Sequence, residues 1–122
     1  MGYFLGCLEG IAYLEALVFE LIESFGGTVA DSVFATGGGA RSDLSLEVRA
    51  EVLGKRISIP AHPHSAMGAA ILAAAGFHKE TVGTWSRRMV KISHIVEPKG
   101  RRENYYRDRL LQFKARCHQS LP

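Results

Sequence analysis

The sequence has little of what marks a cross-linked or membrane-embedded chain. Its 122 residues include two cysteines, which lie near opposite ends and outside any C-x-x-C pair. This argues against a disulfide framework and favours free thiols in a reducing compartment. The most apolar segment, residues 3–25, is interrupted by four glutamates, so we expect no membrane span. A basic leader is also missing, and we expect a cytoplasmic protein.

Positive charge is scarce in the first two thirds of the chain. Residues 1–78 carry 4 Lys and Arg against 8 Asp and Glu, whereas residues 79–122 carry 11 against 4. A basic tail is typical of nucleic-acid binding or of a solvated helix face. Its charges follow a helical pattern without a nucleic-acid-binding motif, so we expect the solvated face and no nucleic-acid partner.

The chain is organised around one glycine-rich stretch, V-F-A-T-G-G-G-A-R-S-D-L, over residues 33–44. A short β-prone run stops at three glycines, and a helix capped by Ser42 or Asp43 follows and ends at Gly54. Bare backbone and first-turn N–H groups meet there, which suits a planar or anionic ligand. A sharp turn without a ligand fits the same pattern. The motifs G-x-x-x-x-G-K-[ST] and G-x-G-x-x-G are both absent.

Apolar periodicity and breaker residues predict the rest of the secondary structure. Residues 85–95 fit either a short helix or an extended segment. The motif His62-Pro63-His64 favours a solvated loop over a metal site, because no Cys or Asp accompanies it. A long helix is predicted over 3–25, buried on more than one side, and an edge strand over 57–60, parallel to the first strand. An uncharged helix over 66–75 should be capped by Ser65, covered all round and stopped by Gly76. A loop over 77–84 and an amphipathic helix over 103–118 complete the prediction.

Four motifs in this order resemble the C-terminal domain of FGGY-family carbohydrate kinases, which include xylulose, ribulose, gluconate and glycerol kinases. The motifs are G-I-A-Y at 10–13, A-T-G-G-G-A-R-S-D-L at 35–44, R-A-E-V-L-G at 49–54 and S-A-M-G-A-A-I-L-A-A-A-G at 65–76. The resemblance covers residues 8–78 well and the tail loosely. Four motifs at fitting separations are far more specific than the glycine run alone.

The resemblance implies an α/β fold, namely part of an actin-like ATPase (RNase-H-like) C-terminal domain, helix-rich with a short parallel sheet. Residues 1–122 would form a single partial domain, the adenosine-binding one, with a basic C-terminal helix over 101–122. In this family a three-stranded meander precedes the first helix, and we expect it upstream of this sequence. Two short strands would leave apolar helices uncovered, so we expect a homo-oligomer.

The resemblance also implies a nucleotide site at the glycine run, with ATP and Mg²⁺ as cofactors. The Mg²⁺ site and all catalytic residues would lie outside this chain. Two departures from the family pattern are Ser45, where many members have Trp, and Pro63, near a common acidic position. The residues implied to bind the nucleotide are Gly37, Gly38, Gly39 and Ala40 along its border, and Ser42 and Asp43 at the helix start, with Asp43 reaching the adenine.

The implied function is that of the C-terminal ATP-binding portion of a sugar kinase, which transfers the γ-phosphate of ATP to a sugar or polyol hydroxyl. The D-x-G-T phosphate motifs, the sugar-binding domain and the catalytic aspartate lie upstream in the family, so we expect this chain alone to be inactive. The alternative is a non-catalytic actin-like half-domain that acts as an interaction module.

Overall fold

The computed structural model describes residues 2–119 and contains five α-helices and three strands among them. Residue 1 and residues 120–122, the end of the predicted 101–122 helix, lie outside the described residues. In chain order the elements are α1 (Gly2–Ser24), β1 (Ser32–Phe34), a 3₁₀ turn (Gly38–Arg41), α2 (Asp43–Leu53), β2 (Arg56–Pro60), α3 (Ser65–His78), α4 (Val82–Met89), β3 (Ile92–Val96) and α5 (Glu103–Gln119).

The three strands form one mixed sheet in the order β1-β2-β3. β1 and β2 are parallel, as predicted, with Val33 opposite Ile57, whereas β2 and β3 are antiparallel, with Ile57 opposite Val96. The prediction of an edge position for β2 is therefore wrong, and the sheet is not purely parallel. Pro60 is tolerated in a central strand because it is the last residue of β2, where the register with β3 shifts.

The segment after β2 contains more structure than the sequence pattern predicts. Helix α3 continues past Gly76 to His78, and its C-cap Lys79 has φ 55° in the left-handed region. His64, not Ser65, precedes its first turn as N-cap. The N–H of Glu80 donates to the carbonyl of Ala75 at 3.1 Å, which closes the helix in a Schellman pattern. The predicted loop over 77–84 is thus largely helical, and residues 85–95 divide between α4 and β3.

The core lies between α2 and one face of the sheet. Its buried members are Ala35, Ala40, Leu46, Ala50, Ile57 and Ile59, with Val33 and Val96 packed beside them. Helix α1 packs on α2 and α5 from the other side. Arg49 on α2 donates to both carboxylate oxygens of Glu15 at 2.7 Å. These contacts hold α2 between the sheet and α1.

Within residues 2–119, helices α1 and α3 lack the all-round cover predicted from their apolar residues, in line with the expectation that so few strands leave apolar helices uncovered. Helix α1 buries one side only, through Ala12, Tyr13 and Ala16. Several of its large apolar side chains, among them Ile11, Leu14 and Val18, are more than half exposed. Helix α3 buries Ile71 and Ala75 and packs mainly against α4, so it is not covered all round. The reason is that α2 and α5 pack against only one side of α1, and α4 against only one side of α3. No helix within residues 2–119 has the length and apolar character to cross a membrane.

Candidate functional site

The glycine turn follows directly from β1. The N–H of Ala35 donates to the carbonyl of Ser58 at 3.1 Å, which extends the parallel ladder by one residue. Gly37 then has φ 77° and ψ −162°, a backbone region that is essentially restricted to glycine. A side chain at Gly37 would meet no atom within 4 Å, so the requirement for glycine there comes from the backbone conformation alone.

Gly38 and Gly39 are different in kind from Gly37. Both lie in the 3₁₀ turn with φ outside the left-handed region, and a Cβ on either would meet nothing within 4 Å. Neither backbone strain nor packing within residues 2–119 therefore requires glycine at these two positions. They form an exposed patch of bare backbone, and their N–H groups stand at the start of a helical turn, where intrahelical acceptors are lacking.

Ala40 and Ser42 tie this patch to the body of the molecule. The side chain of Ala40 is buried in the core, and its N–H donates to the carbonyl of Gly37 at 3.2 Å. Of the two predicted capping residues, Ser42 is the N-cap of α2, and its hydroxyl accepts from the N–H of Ser45 at 3.3 Å. Ser45, at the position where many family members have Trp, is itself buried.

Asp43 is the first residue of α2 and is exposed, so its carboxylate stands at the positive end of the helix dipole. All six predicted site residues are therefore brought together along one continuous turn. A cleft of about 400 Å³ lies along α2 and is lined by Leu44, Glu47, Arg102 and Tyr106, among others, but by none of these six residues. Its volume is within the usual range of small-molecule sites.

The loop between β2 and α3 supplies a contact that the sequence pattern does not reveal. The N–H of Gly37 donates to the carbonyl of Pro63 at 2.7 Å, which fixes the first peptide of the glycine turn. The signal available in the sequence is topological: in a parallel pair the carboxyl ends of both strands meet at the same edge, so the loops that follow them are neighbours. Residues 2–119 hold no cluster of three or more His, Cys, Asp or Glu side chains that could bind a metal ion.

Comparison with known structures defines the class of fold. The chain superposes on the crystal structure of xylulose kinase from Rhodospirillum rubrum with a TM-score of 0.71 and 26% sequence identity, over 93% of this chain and 23% of that one. The fold is therefore that of an actin-like ATPase domain, as predicted.

Sequence comparison then identifies the family. Residues 2–77 match the model of the FGGY family of carbohydrate kinases, C-terminal domain, and the chain belongs to this family. It is 27% identical over 111 residues to a xylulose kinase of Staphylococcus epidermidis, covering 85% of this chain and 22% of the relative. It is also 39% identical over 67 residues to glycerol kinase 2 of Saccharolobus solfataricus, covering 54% of this chain and 13% of the relative. The chain thus spans less than a quarter of the length of these relatives.

Proposed function

We propose that this chain is the adenosine-binding portion of a carbohydrate kinase that transfers the γ-phosphate of ATP to a sugar or polyol hydroxyl. The observation that carries the proposal is the bare backbone at Gly38 and Gly39, which nothing else in residues 2–119 requires. A ligand lying flat on the turn gives a reason for the absence of side chains. Membership of the FGGY family and kinase relatives support ATP as that ligand.

The residues of the turn have distinct proposed roles. The ribose and adenine lie on the backbone of Gly38 and Gly39, while Gly37 and Ser42 hold the two ends of the turn in place. The Asp43 carboxylate is an acceptor only, which suits the exocyclic amine of adenine.

Phosphoryl transfer itself needs parts that these residues do not provide. Mg²⁺ neutralises the phosphates when bound, and a general base accepts the proton of the sugar hydroxyl. Residues 2–119 hold no group of three or more His, Cys, Asp or Glu side chains that could bind a metal ion, so we propose no Mg²⁺ ligand among them and derive no step through the ion. We propose that this portion binds and orients adenosine in the cytoplasm, and that the sugar and phosphates are bound by other parts of a longer kinase.

Calorimetric titration of the 122-residue chain with adenosine, ADP and ATP tests the proposal. We expect weak binding with less than about tenfold preference for ATP over adenosine, or roughly 1.4 kcal/mol, because the turn contacts only the adenosine end. Gly39→Val should weaken adenosine binding at least tenfold without lowering the melting temperature. Gly76→Val, which also adds a side chain in open space, is the matched control and should leave the affinity unchanged. Equal affinity of the unsubstituted chain and Gly39→Val would contradict the site.

A second candidate is a non-catalytic interaction module that retains the actin-like half-fold. The observation that favours it is the outward apolar face of α1. The two candidates differ in the same titration, because an interaction module does not require adenosine binding that depends on Gly39.

A further inference from the structure

The loop between β2 and α3, called the 61–64 loop below, is held at both ends by backbone hydrogen bonds. At its start, the N–H of Ala61 donates to the carbonyl of Lys91 at 2.8 Å, which ties the loop to the segment before β3. At its end, His64 is the N-cap of α3, and its carbonyl accepts from the N–H of Met67 at 3.0 Å. Only two residues lie between these anchors, so little freedom remains in the loop.

Pro63 is the central residue of a γ-turn within the 61–64 loop. The N–H of His64 donates to the carbonyl of His62 at 2.9 Å, and a bond between residues two apart defines such a turn. The common form, the inverse γ-turn, needs φ of about −75° at its centre, and the proline ring holds φ at about −65°. The ring of Pro63 therefore favours the turn without help from neighbouring elements.

The peptide that closes the γ-turn also holds the glycine turn. In the planar trans peptide between Pro63 and His64, the C=O points in the direction opposite to the N–H. Because the N–H is directed into the loop, towards His62, the Pro63 carbonyl faces outward, where it accepts from the N–H of Gly37 at 2.7 Å. The conformation of Pro63 thus sets the direction of the acceptor that Gly37 uses.

Gly38 and Gly39 lie between two anchored residues. On one side, Gly37 is bonded to Pro63; on the other, Ala40 is 6% exposed, and its N–H donates to the carbonyl of Gly37 at 3.2 Å. Without the contact to Pro63, Gly37 would keep only the bond within the turn, and its glycine backbone would be free to change conformation. The bare backbone of Gly38 and Gly39 would then have no single fixed shape.

We propose that Pro63 is a positioning residue for the glycine turn. Its γ-turn directs the carbonyl that keeps Gly37, and with it the backbone of Gly38 and Gly39, in the conformation that binds adenosine. The inference rests on the proposed function for its ligand, but the hydrogen bond between Pro63 and the turn forms without any ligand. Pro63 acts through Gly37 and needs no contact with adenosine itself.

Two substitutions keep the carbonyl of residue 63 and remove the ring. In calorimetric titration of the 122-residue chain, Pro63→Ala should weaken adenosine binding about threefold and Pro63→Gly about tenfold, because backbone freedom at the centre of the γ-turn rises in that order. Pro98→Gly is the matched control, since Pro98 also lies partly exposed in a loop that leads into a helix. It should leave the affinity for adenosine unchanged.

The hydrogen bond has a separate readout that needs no ligand. In the unsubstituted chain, NMR should detect a scalar coupling across the bond between the Gly37 nitrogen and the Pro63 carbonyl carbon. This coupling should be reduced in Pro63→Ala and lost in Pro63→Gly. The bond from the N–H of Ala35 to the carbonyl of Ser58, at 3.1 Å in the sheet, should keep its coupling in both variants. A proline that only stabilises the fold would change the melting temperature and leave the Gly37 coupling in place.

The two measurements separate this inference from the proposed function. A Gly37 coupling that survives in Pro63→Gly, or a coupling that is lost without any fall in adenosine affinity, would overturn the positioning role. If the unsubstituted chain does not bind adenosine, the proposed function fails, while loss of the Gly37 coupling in Pro63→Gly would still support the role of Pro63 in fixing the turn. If Pro63→Gly also loses the Ala35 coupling, that variant is unfolded, and Pro63→Ala decides by the same two criteria.

Discussion

The hydroxyl of Tyr13 offers a sharp test of how α1 packs on α5. Tyr13 is 6% exposed, its ring lies 5.6 Å from that of Phe113, and its hydroxyl has no hydrogen-bond partner within residues 2–119. A buried hydroxyl without a partner costs about 1–3 kcal/mol of desolvation, whereas a typical hydrogen-bonded one contributes about 1 kcal/mol. Tyr13→Phe should therefore increase the free energy of unfolding by about 1 kcal/mol at pH 7.

The same substitution should change the pH dependence of stability. Burial raises the pKa of Tyr13 to about 12, with the Glu9 carboxylate adding to the effect. The folded chain thus keeps this phenol protonated at pH values where the unfolded chain has lost the proton. The raised pKa therefore has no effect on the free energy of unfolding below about pH 10, and it lowers this free energy as the pH rises towards 12. At pH 11 this loss amounts to about 1.4 kcal/mol, which Tyr13→Phe should not suffer.

Urea unfolding followed by circular dichroism at pH 7 and pH 11 measures both effects. The advantage of Tyr13→Phe should grow from about 1 to about 2.4 kcal/mol between the two pH values. Tyr105→Phe, at an exposed position, is the control and should change the free energy of unfolding at pH 7 by less than about 0.5 kcal/mol. A loss of 1 kcal/mol or more for Tyr13→Phe at pH 7 would mean that the hydroxyl is hydrogen-bonded, which would refute the packing described for α1 and α5.

Three further predictions concern the turn, the α1–α2 contact and activity. Gly37→Ala should lower the free energy of unfolding by about 1–3 kcal/mol, because its backbone conformation is restricted to glycine; a change below about 0.5 kcal/mol in urea titration would show that the turn relaxes. Arg49→Ala should lower the free energy of unfolding by about 2 kcal/mol, a value between those for exposed and fully buried ion pairs. In a double-mutant cycle with Glu15→Ala, the two losses of free energy should not be additive, because the two side chains form one ion pair. The isolated chain should show no ATP hydrolysis dependent on pentoses, hexoses or polyols in a coupled assay; activity that is lost on substitution within this chain would contradict the assignment of the chemistry to other segments.

The parts of the site that depend on local chemistry could be predicted from the sequence. Ser42 caps α2 because a hydroxyl at that position accepts from a first-turn N–H, whatever surrounds the helix. The order of strand, glycine turn and helix follows from breaker residues and apolar spacing, and the amphipathic helix α5 follows from the period of its apolar residues. The contact between Gly37 and the Pro63 carbonyl could not be predicted in this way, because it joins two loops that only the parallel pairing of β1 and β2 makes neighbours.

The errors share a physical cause. Periodicity identifies which face of a helix is apolar but not what covers that face, so burial of α1 on more than one side and of α3 all round does not follow from it. Pro60 and Gly76 were expected to mark a sheet edge and a helix end. Pro60 is tolerated instead as the last residue of the central strand β2. Gly76 is tolerated within α3, about one turn before Lys79 with its left-handed backbone. Tertiary context decides such positions.

The attachment of α3 has a consequence for how the molecule opens. Helix α3 packs mainly on α4 and buries only Ile71 and Ala75, whereas Ile57 and Leu46 in the centre are fully buried. In native-state hydrogen exchange, the amides of α3 should therefore exchange through local opening, and those of β2 only on global unfolding. The Gly37 amide is bonded to the loop that leads into α3, so its protection should follow that of the helix. Local opening of α3 would thus release the first peptide of the glycine turn while the sheet beneath it stays intact.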